Sequence, residues 1–145
     1  MEGWSIRSHD ASVNARQLRS LARYIRAAAD AFGLKDWAVV LHDEPCDNPD
    51  HAATVSCLYE RRIAHIHVAA NFAEMESVEQ RHVIAHELAH IHMDADFNYL
   101  SELLPGMVGP LAWTPIEATI RLLHEQGIDG VATGMETRLP LWDQP

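Results

Sequence analysis

The residues best suited to chemistry are two histidines and a glutamate, His86, Glu87 and His90, which spell HExxH in the middle of the chain. Residues four apart on a helix project from one face, so both imidazoles can hold one metal ion. Glu87 lies about 100° round the helix from His86, a position better suited to taking a proton from a metal-held water than to ligation. The spacing predicts a zinc site with Glu87 as the general base.

The surrounding residues, 77–94, are expected to form a helix buried at the centre of the domain. Ser77 followed by Gln80 is the pattern of a capping box, and Glu79 places negative charge in the first turn. The segment that follows is apolar on nearly every side. Buried histidines need polar partners, and one metal ion supplies a partner to both; backbone carbonyls are the alternative.

A catalytic zinc usually takes three protein ligands and a water, so a third donor is needed. Asp94 lies on the metal face but far along the helix, which suits it to holding a ligand imidazole. The candidates that follow His90 are His92, Asp94, Asp96, Glu102, Glu117, His124 and Glu125.

Glu117 stands first among these candidates, ahead of Glu102 and His124, because it opens the next long helix. Thr114 and Glu117 also spell a capping box, so spacing alone leaves Glu117 open between metal ligand and helix cap. His124 lies on the same predicted face as Glu117, where it can orient Glu117 or assist an oxyanion.

Hydrophobic periodicity predicts the elements that must position these groups. Before the helix over 77–94 we expect a helix over 12–33, a strand over 36–43, a loop over 44–51, and an antiparallel hairpin of strands 53–59 and 62–68. After it we expect an irregular or short-helical stretch over 95–110, a helix over 114–126 with Pro115 first and Gly127 as its stop, and a tail over 128–145. These elements indicate an α+β fold with a small three-stranded, mostly antiparallel sheet.

Length and composition limit the function further. The 145 residues fit one domain, 1–145, with its core over about 12–126. A formal net charge of −10 argues against a general nucleic-acid binder, although Arg16, Arg19, Arg23 and Arg26 share one helical stripe. No apolar run is long enough to cross a membrane, and the first residues lack the pattern of a secretory signal, so a cytoplasmic protein is expected.

The motif VIAHELAHIH, the order of the elements and the later pair Glu117-Ala118 resemble the minimal gluzincin metallopeptidases, especially the ImmA/IrrE-like group of bacteria, phages and mobile elements. The likeness covers roughly residues 12–126. It departs at Asp94, where these proteins often have a further histidine, and no helix-turn-helix domain is attached, so a regulatory partner is expected to be a separate chain.

The resemblance implies that His86, His90 and Glu117 bind zinc and that Glu87 is the general base. It also implies that the strand over 62–68 borders the cleft, where an extended peptide can add to its edge. His65 and His67, which share one face of this strand, are then near the substrate. Solvent exposure of the two histidines is the alternative.

The leading expectation is therefore a zinc peptidase that cleaves one protein target, by resemblance a repressor or other regulator of a phage or mobile element. A zinc-stabilised module that binds its partner without cutting it is the first alternative. A DNA-associated protease of the SprT type is the second, supported only by the arginine stripe. The segment LPLW, 139–142, is expected either to restrain activity by lying in the cleft or to be an ordinary terminus.

Overall fold

Three α-helices and a three-stranded sheet form the described part of the chain, residues 13–145 of the computed structural model. The expected α+β layout is confirmed. The predicted start of the first helix at residue 12 and the first ten residues lie outside the described part. In chain order the elements are α1 Ala15–Ala31, β1 Ala38–Leu41, β2 Ala53–Leu58, β3 Ile63–Val68, a 3-10 turn Phe72–Glu74, α2 Ser77–Val108 and α3 Pro110–Glu136.

Helix α1 is amphipathic and begins at a capping box. The side chain of Asn14 accepts a hydrogen bond from the backbone N–H of Gln17, and the Gln17 side chain accepts one from the backbone N–H of Asn14. Its inner face carries Leu21 and Ile25, both almost completely buried. The helix ends before Gly33, whose φ of 77° is the left-handed conformation that glycine favours. The four arginines of α1 are all exposed.

The sheet is mixed, in the order β1-β3-β2. The predicted hairpin of β2 and β3 is antiparallel, whereas β1 pairs with β3 in parallel. Ala64, Ile66 and Val68 of β3 are buried, so His65 and His67 point to the opposite face. Strand β3 is central and paired on both sides. The prediction that a peptide adds to the edge of β3 is therefore wrong, and within residues 13–145 the edges without a partner strand are those of β1 and β2.

Helix α2 is longer than the sequence suggested, and the stretch over 95–110, expected to be irregular or short-helical, is mostly part of it. Pro105 lies in the last turn and cannot donate a hydrogen bond to the carbonyl of Ser101, so the helix loses one bond and ends within a turn. The predicted capping box at Ser77 is also wrong, because Ser77 is already helical and no side chain caps the helix. Instead the Gln80 side chain donates to the backbone carbonyl of Phe72, at 2.8 Å.

Helix α3 begins at Pro110, and neither Pro115 nor Gly127 limits it. The first nine residues of the predicted tail, 128–136, are helical, and the rest packs against the core. Leu139 and Trp142 are buried, and the Trp142 indole N–H donates to the Ser20 hydroxyl at 3.1 Å. The segment LPLW therefore lies against α1 rather than in the cleft.

Within residues 13–145, none of the helices combines the length and the apolar character that a membrane span requires.

Candidate metal centre

Helices α2 and α3 form an antiparallel pair, and the candidate site lies between them. They are joined by Gly109 alone, whose φ is 82°. The reversal places the start of α2 opposite the end of α3, so four residues of α2 at intervals of four face a polar row on α3. The α2 row is His82, His86, His90 and Asp94; the α3 row is His124, Glu125, Asp129 and Glu136.

Three donor atoms meet at the middle of this interface. The Nε2 atoms of His86 and His90 are 3.2 Å apart, and Oε2 of Glu125 is 3.6 Å from each of them. An ion bound tetrahedrally at about 2.0–2.1 Å from each ligand separates its donors by about 3.4 Å. The three observed separations agree with that value, so one zinc-sized ion fits among these atoms.

The protonation of the two histidines also favours a cation. Nδ1 of His90 is 2.9 Å from Oδ1 of Asp94, and Nδ1 of His86 faces Oδ1 of Asp129 at 3.6 Å. An ionised carboxylate only accepts hydrogen bonds, so Asp94 holds a proton on Nδ1 of His90. The 3.6 Å contact of His86 with Asp129 is too long for a hydrogen bond, and Asp129 is hydrogen-bonded to Nε2 of His82 instead. The two Nε2 atoms face each other and the Glu125 carboxylate. A cation among the three atoms stabilises this convergence, and so does a proton on His90, because the hydrogen bond to Asp94 and the nearby acidic charges outweigh burial and raise the pKa of His90.

Two further groups of ligand-type side chains flank the centre, His82–His86–Asp129 and His90–Asp94–His124. Each contains contacts shorter than the separation of two metal ligands. Nε2 of His124 is 2.8 Å from Asp94, and Nε2 of His82 is 2.8 Å from Asp129. These are hydrogen-bond lengths, so we interpret both groups as supports that orient the central histidines.

The supporting pairs shift the protonation of their members. Burial lowers the pKa of His82, but its hydrogen bonds to Glu136 and Asp129 outweigh burial, so the pKa is raised and both ring nitrogens can donate. Burial raises the pKa of Asp94, but hydrogen bonds from His90 and His124 outweigh it and lower the pKa. The Asp94 carboxylate behind His90 is thus held in its accepting form.

Glu87 lies beside the three donors and is 7% exposed. Burial raises its pKa to about 8, although the nearby His90 acts in the opposite direction. Burial and the neighbouring His90 lower the pKa of His86, which favours the neutral form that metals bind. A carboxyl group with a pKa near neutrality can both take up and release a proton at physiological pH.

A cavity of about 530 Å³ opens beside the donors. Helix α2 forms one wall, with His86, Glu87 and His90. The opposite wall is the start of β2, Ala53 to Val55, together with the turn before it. Its second wall is therefore one of the free edges of the sheet, where an extended chain can find unpaired backbone groups.

Glu117, the predicted third ligand, is not brought to the histidines. It lies eight residues before Glu125 on α3 and pairs with Arg121 at 2.8 Å. It is no helix cap either, since α3 begins at Pro110. Glu125 was one candidate among several. If Gly109 is taken as the turn of a continuous helical hairpin, residues 128–132 are expected opposite His86 and His90, and Glu125 lies about one turn before that range.

The other predicted residues separate into two groups. Asp94 and His124 lie beside the three donors and are hydrogen-bonded to each other. Glu117 pairs with Arg121, so the expected orientation of Glu117 by His124 is not observed. His65 and His67 do not line the cavity. Nδ1 of His65 is 2.7 Å from Nε2 of His42, and Nδ1 of His67 is 3.0 Å from the Glu44 carbonyl, on the outer face of the sheet.

Comparison of the sequence with protein-family models and with curated proteins, and of the structure with solved structures, gives no match. The function must therefore be argued from the geometry of the site.

Proposed function

We propose that this protein is a zinc-dependent endopeptidase of the minimal gluzincin, ImmA/IrrE-like type. The observation that carries the proposal is the convergence of two imidazole nitrogens and one carboxylate oxygen at separations of 3.2–3.6 Å, beside a buried glutamate. Two histidines, one carboxylate and an open position form a ligand set of zinc hydrolases. Glu125 takes the place that the resemblance gave to Glu117.

The residues of the chain have distinct parts in the proposed reaction. His86, His90 and Glu125 would hold the ion, and Asp94, hydrogen-bonded to Nδ1 of His90 at 2.9 Å, keeps that imidazole in the binding tautomer. Zinc bound there supplies Lewis-acid chemistry, which polarises a carbonyl and lowers the pKa of a water to about 7. Glu87 accepts the proton that the attacking water loses and then gives it to the leaving amine.

The free edge of β2 supports a peptide substrate. Backbone pairing with β2 lays an extended chain along the cavity wall, opposite Glu87 and the donors, without requiring a particular sequence. By resemblance, the target is a separate regulatory protein of a phage or mobile element. The two cysteines, Cys46 and Cys57, are unpaired, as expected for a cytoplasmic protein.

The ligand assignment is tested by zinc content, measured by elemental mass spectrometry on wild type, Glu125→Ala and Glu117→Ala purified without added metal. Wild type and Glu117→Ala are expected to carry about one zinc per chain, and Glu125→Ala to lose most of it. Glu117→Ala is a matched control, since it removes the same side chain two turns away on the same helix. Loss of zinc from Glu117→Ala alone would overturn the assignment.

Catalysis is tested with Glu87→Gln, which keeps the shape of the side chain but cannot take up the proton. This variant should retain zinc and lose about 10²–10⁴-fold in cleavage rate on a peptide that the wild type cuts. Cleavage at the wild-type rate would remove Glu87 from the mechanism.

A second candidate function is a zinc-stabilised module that binds a partner without cutting it. The distal part of the α2–α3 hairpin favours it, because large apolar side chains are exposed there, and exposed apolar patches often mark interaction sites. They include Tyr99, Met107, Leu111, Leu122 and Leu123. If the zinc-loaded protein binds a partner that stays intact in both wild type and Glu87→Gln, this reading replaces the peptidase.

A further inference from the structure

Among residues 13–145, acidic side chains line the cavity beside the metal centre, and no lysine or arginine does. Four carboxyl groups line it: Asp50, Glu87, Asp94 and Glu125. A cavity with one sign of charge attracts ligands of the opposite sign. A substrate is attracted by those carboxyl groups that are not already paired with other groups at the metal centre.

Three of the four carboxyl groups are already committed. Glu125 faces the two imidazole nitrogens, and Glu87 lies buried beside them. Asp94 accepts hydrogen bonds from His90 and His124, at 2.9 Å and 2.8 Å. A bound dication offsets the charge of this wall still further. These groups therefore present little uncompensated charge to a substrate.

Asp50 is the remaining acidic group, and it stands on the opposite wall. It is exposed, and it has no salt bridge with any residue in the part of the chain that the structure covers. Its backbone N–H donates to Oδ1 of Asn48 at 2.9 Å, which fixes the turn that carries it. Asp43, Glu44 and Asp47 come earlier in the same segment, which contains no lysine or arginine.

The position of Asp50 relative to β2 determines which part of a bound peptide its charge can reach. Asp50 precedes Ala53, the first residue of β2, by three positions, which is about 10 Å of extended chain. Both residues line the same cavity as the metal-facing histidines. A peptide paired with the edge of β2 and running on past its start thus brings a side chain to Asp50.

We propose that Asp50 makes this cleft selective for peptides with a lysine or arginine within a few residues of the bond at the metal centre. Cleavage of that bond rests on the proposed peptidase function, whereas the preference in binding does not. An exposed carboxylate and one cationic side chain give a modest preference, about threefold to fivefold at low ionic strength.

The test measures binding separately from cleavage. Fluorescently labelled nonapeptide pools carry lysine, glutamine or glutamate at one fixed position and equal mixtures elsewhere. Their binding to zinc-loaded Glu87→Gln protein is followed by fluorescence anisotropy. At one or more positions the lysine pool should bind about threefold to fivefold more tightly than the glutamine pool, and the glutamate pool more weakly.

Substitutions in the turn assign the preference to one residue. Asp50→Asn, added to Glu87→Gln, should abolish the preference, and Asp50→Lys should favour the glutamate pool. Asp47→Asn is the matched control, because it removes an equal charge nearby from a residue that does not line the cavity. Equal binding of the three pools, or the same loss with Asp47→Asn, overturns the proposal.

Cleavage of the same pools by wild-type protein separates this proposal from the proposed function. If the lysine pool binds preferentially through Asp50 but no pool is cut, the peptidase function fails and the selectivity of the cleft stands. If wild type cuts all pools at equal rates and binds them equally, the peptidase function stands and the selectivity fails.

Discussion

The buried carboxyl group of Glu87 should make the metal-free protein less stable as the pH rises. Burial raises its pKa from an ordinary value of 4.5 to about 8. Between these values the folded chain keeps a proton that the unfolded chain has lost. Since the native state then binds more protons, the free energy of unfolding falls with increasing pH. At 1.36 kcal/mol per pKa unit, the contribution between pH 5 and pH 8 is about 3–4 kcal/mol.

Glu87→Gln isolates this effect, because it removes the ionisable group with little change of shape. Unfolding by urea is measured for wild type and variant at pH 5, 6, 7 and 8, with a chelator present. Groups that do not interact with Glu87 titrate alike in both proteins and cancel in the difference, whereas His90, whose pKa the Glu87 charge helps to raise, cancels only in part. Relative to the variant, wild type should lose about 3–4 kcal/mol of unfolding free energy from pH 5 to pH 8.

A difference that stays constant across this pH range would refute the reasoning, because it would show that burial does not hold the proton on Glu87. Zinc supplies an internal control. A cation close to the carboxyl group favours its ionised form, so adding zinc should shrink the pH-dependent difference.

Three further predictions concern the supports of the fold and the site. Asp94→Asn should weaken zinc binding about 10–100-fold by removing the carboxylate that is hydrogen-bonded to Nδ1 of His90, and competition with a chromophoric chelator measures it; unchanged affinity would contradict that role. Trp142→Ala should cost about 3–5 kcal/mol in urea unfolding, because it empties a buried site and leaves the Ser20 hydroxyl without its donor; a cost below about 1 kcal/mol would contradict the packing of the tail. Gly109→Ala should cost about 1–3 kcal/mol in thermal unfolding through backbone strain alone, since no neighbouring atom lies within 4 Å of the added Cβ; a neutral result would mean that the backbone relaxes.

The parts of the structure that follow a local period could be predicted from the sequence. The alternation over 53–68 identified both strands of the hairpin, and spacing by four placed His86 and His90 on one helical face. These features depend on residues that are close in sequence. Local geometry therefore determines them before any tertiary packing is known.

The third donor was missed because it depends on how two long helices lie against each other. Pro105, Pro115 and Gly127 were interpreted as breaks, but packing of α2 against α3 keeps the helices intact through all three. With the last helix expected to begin at residue 114, Glu117 was preferred because it would lie in the first turn of a helix that folds back across the first. In the longer hairpin Glu125 faces the two histidines. The periodicity of a single helix does not reveal how that helix is aligned with its neighbour.

Helix α3 is attached to the rest of the protein by few buried side chains. Only Ile128 and Ala132 are buried among its residues, Pro110–Glu136. A metal held by Glu125 from α3 and by His86 and His90 from α2 is therefore a cross-link between a well-packed helix and a weakly packed one. In amide hydrogen exchange, α3 should open locally while the sheet and the inner part of α2 remain protected, and metal binding should slow that opening. The ion proposed for catalysis would therefore also determine how often α3 separates from α2 at the site.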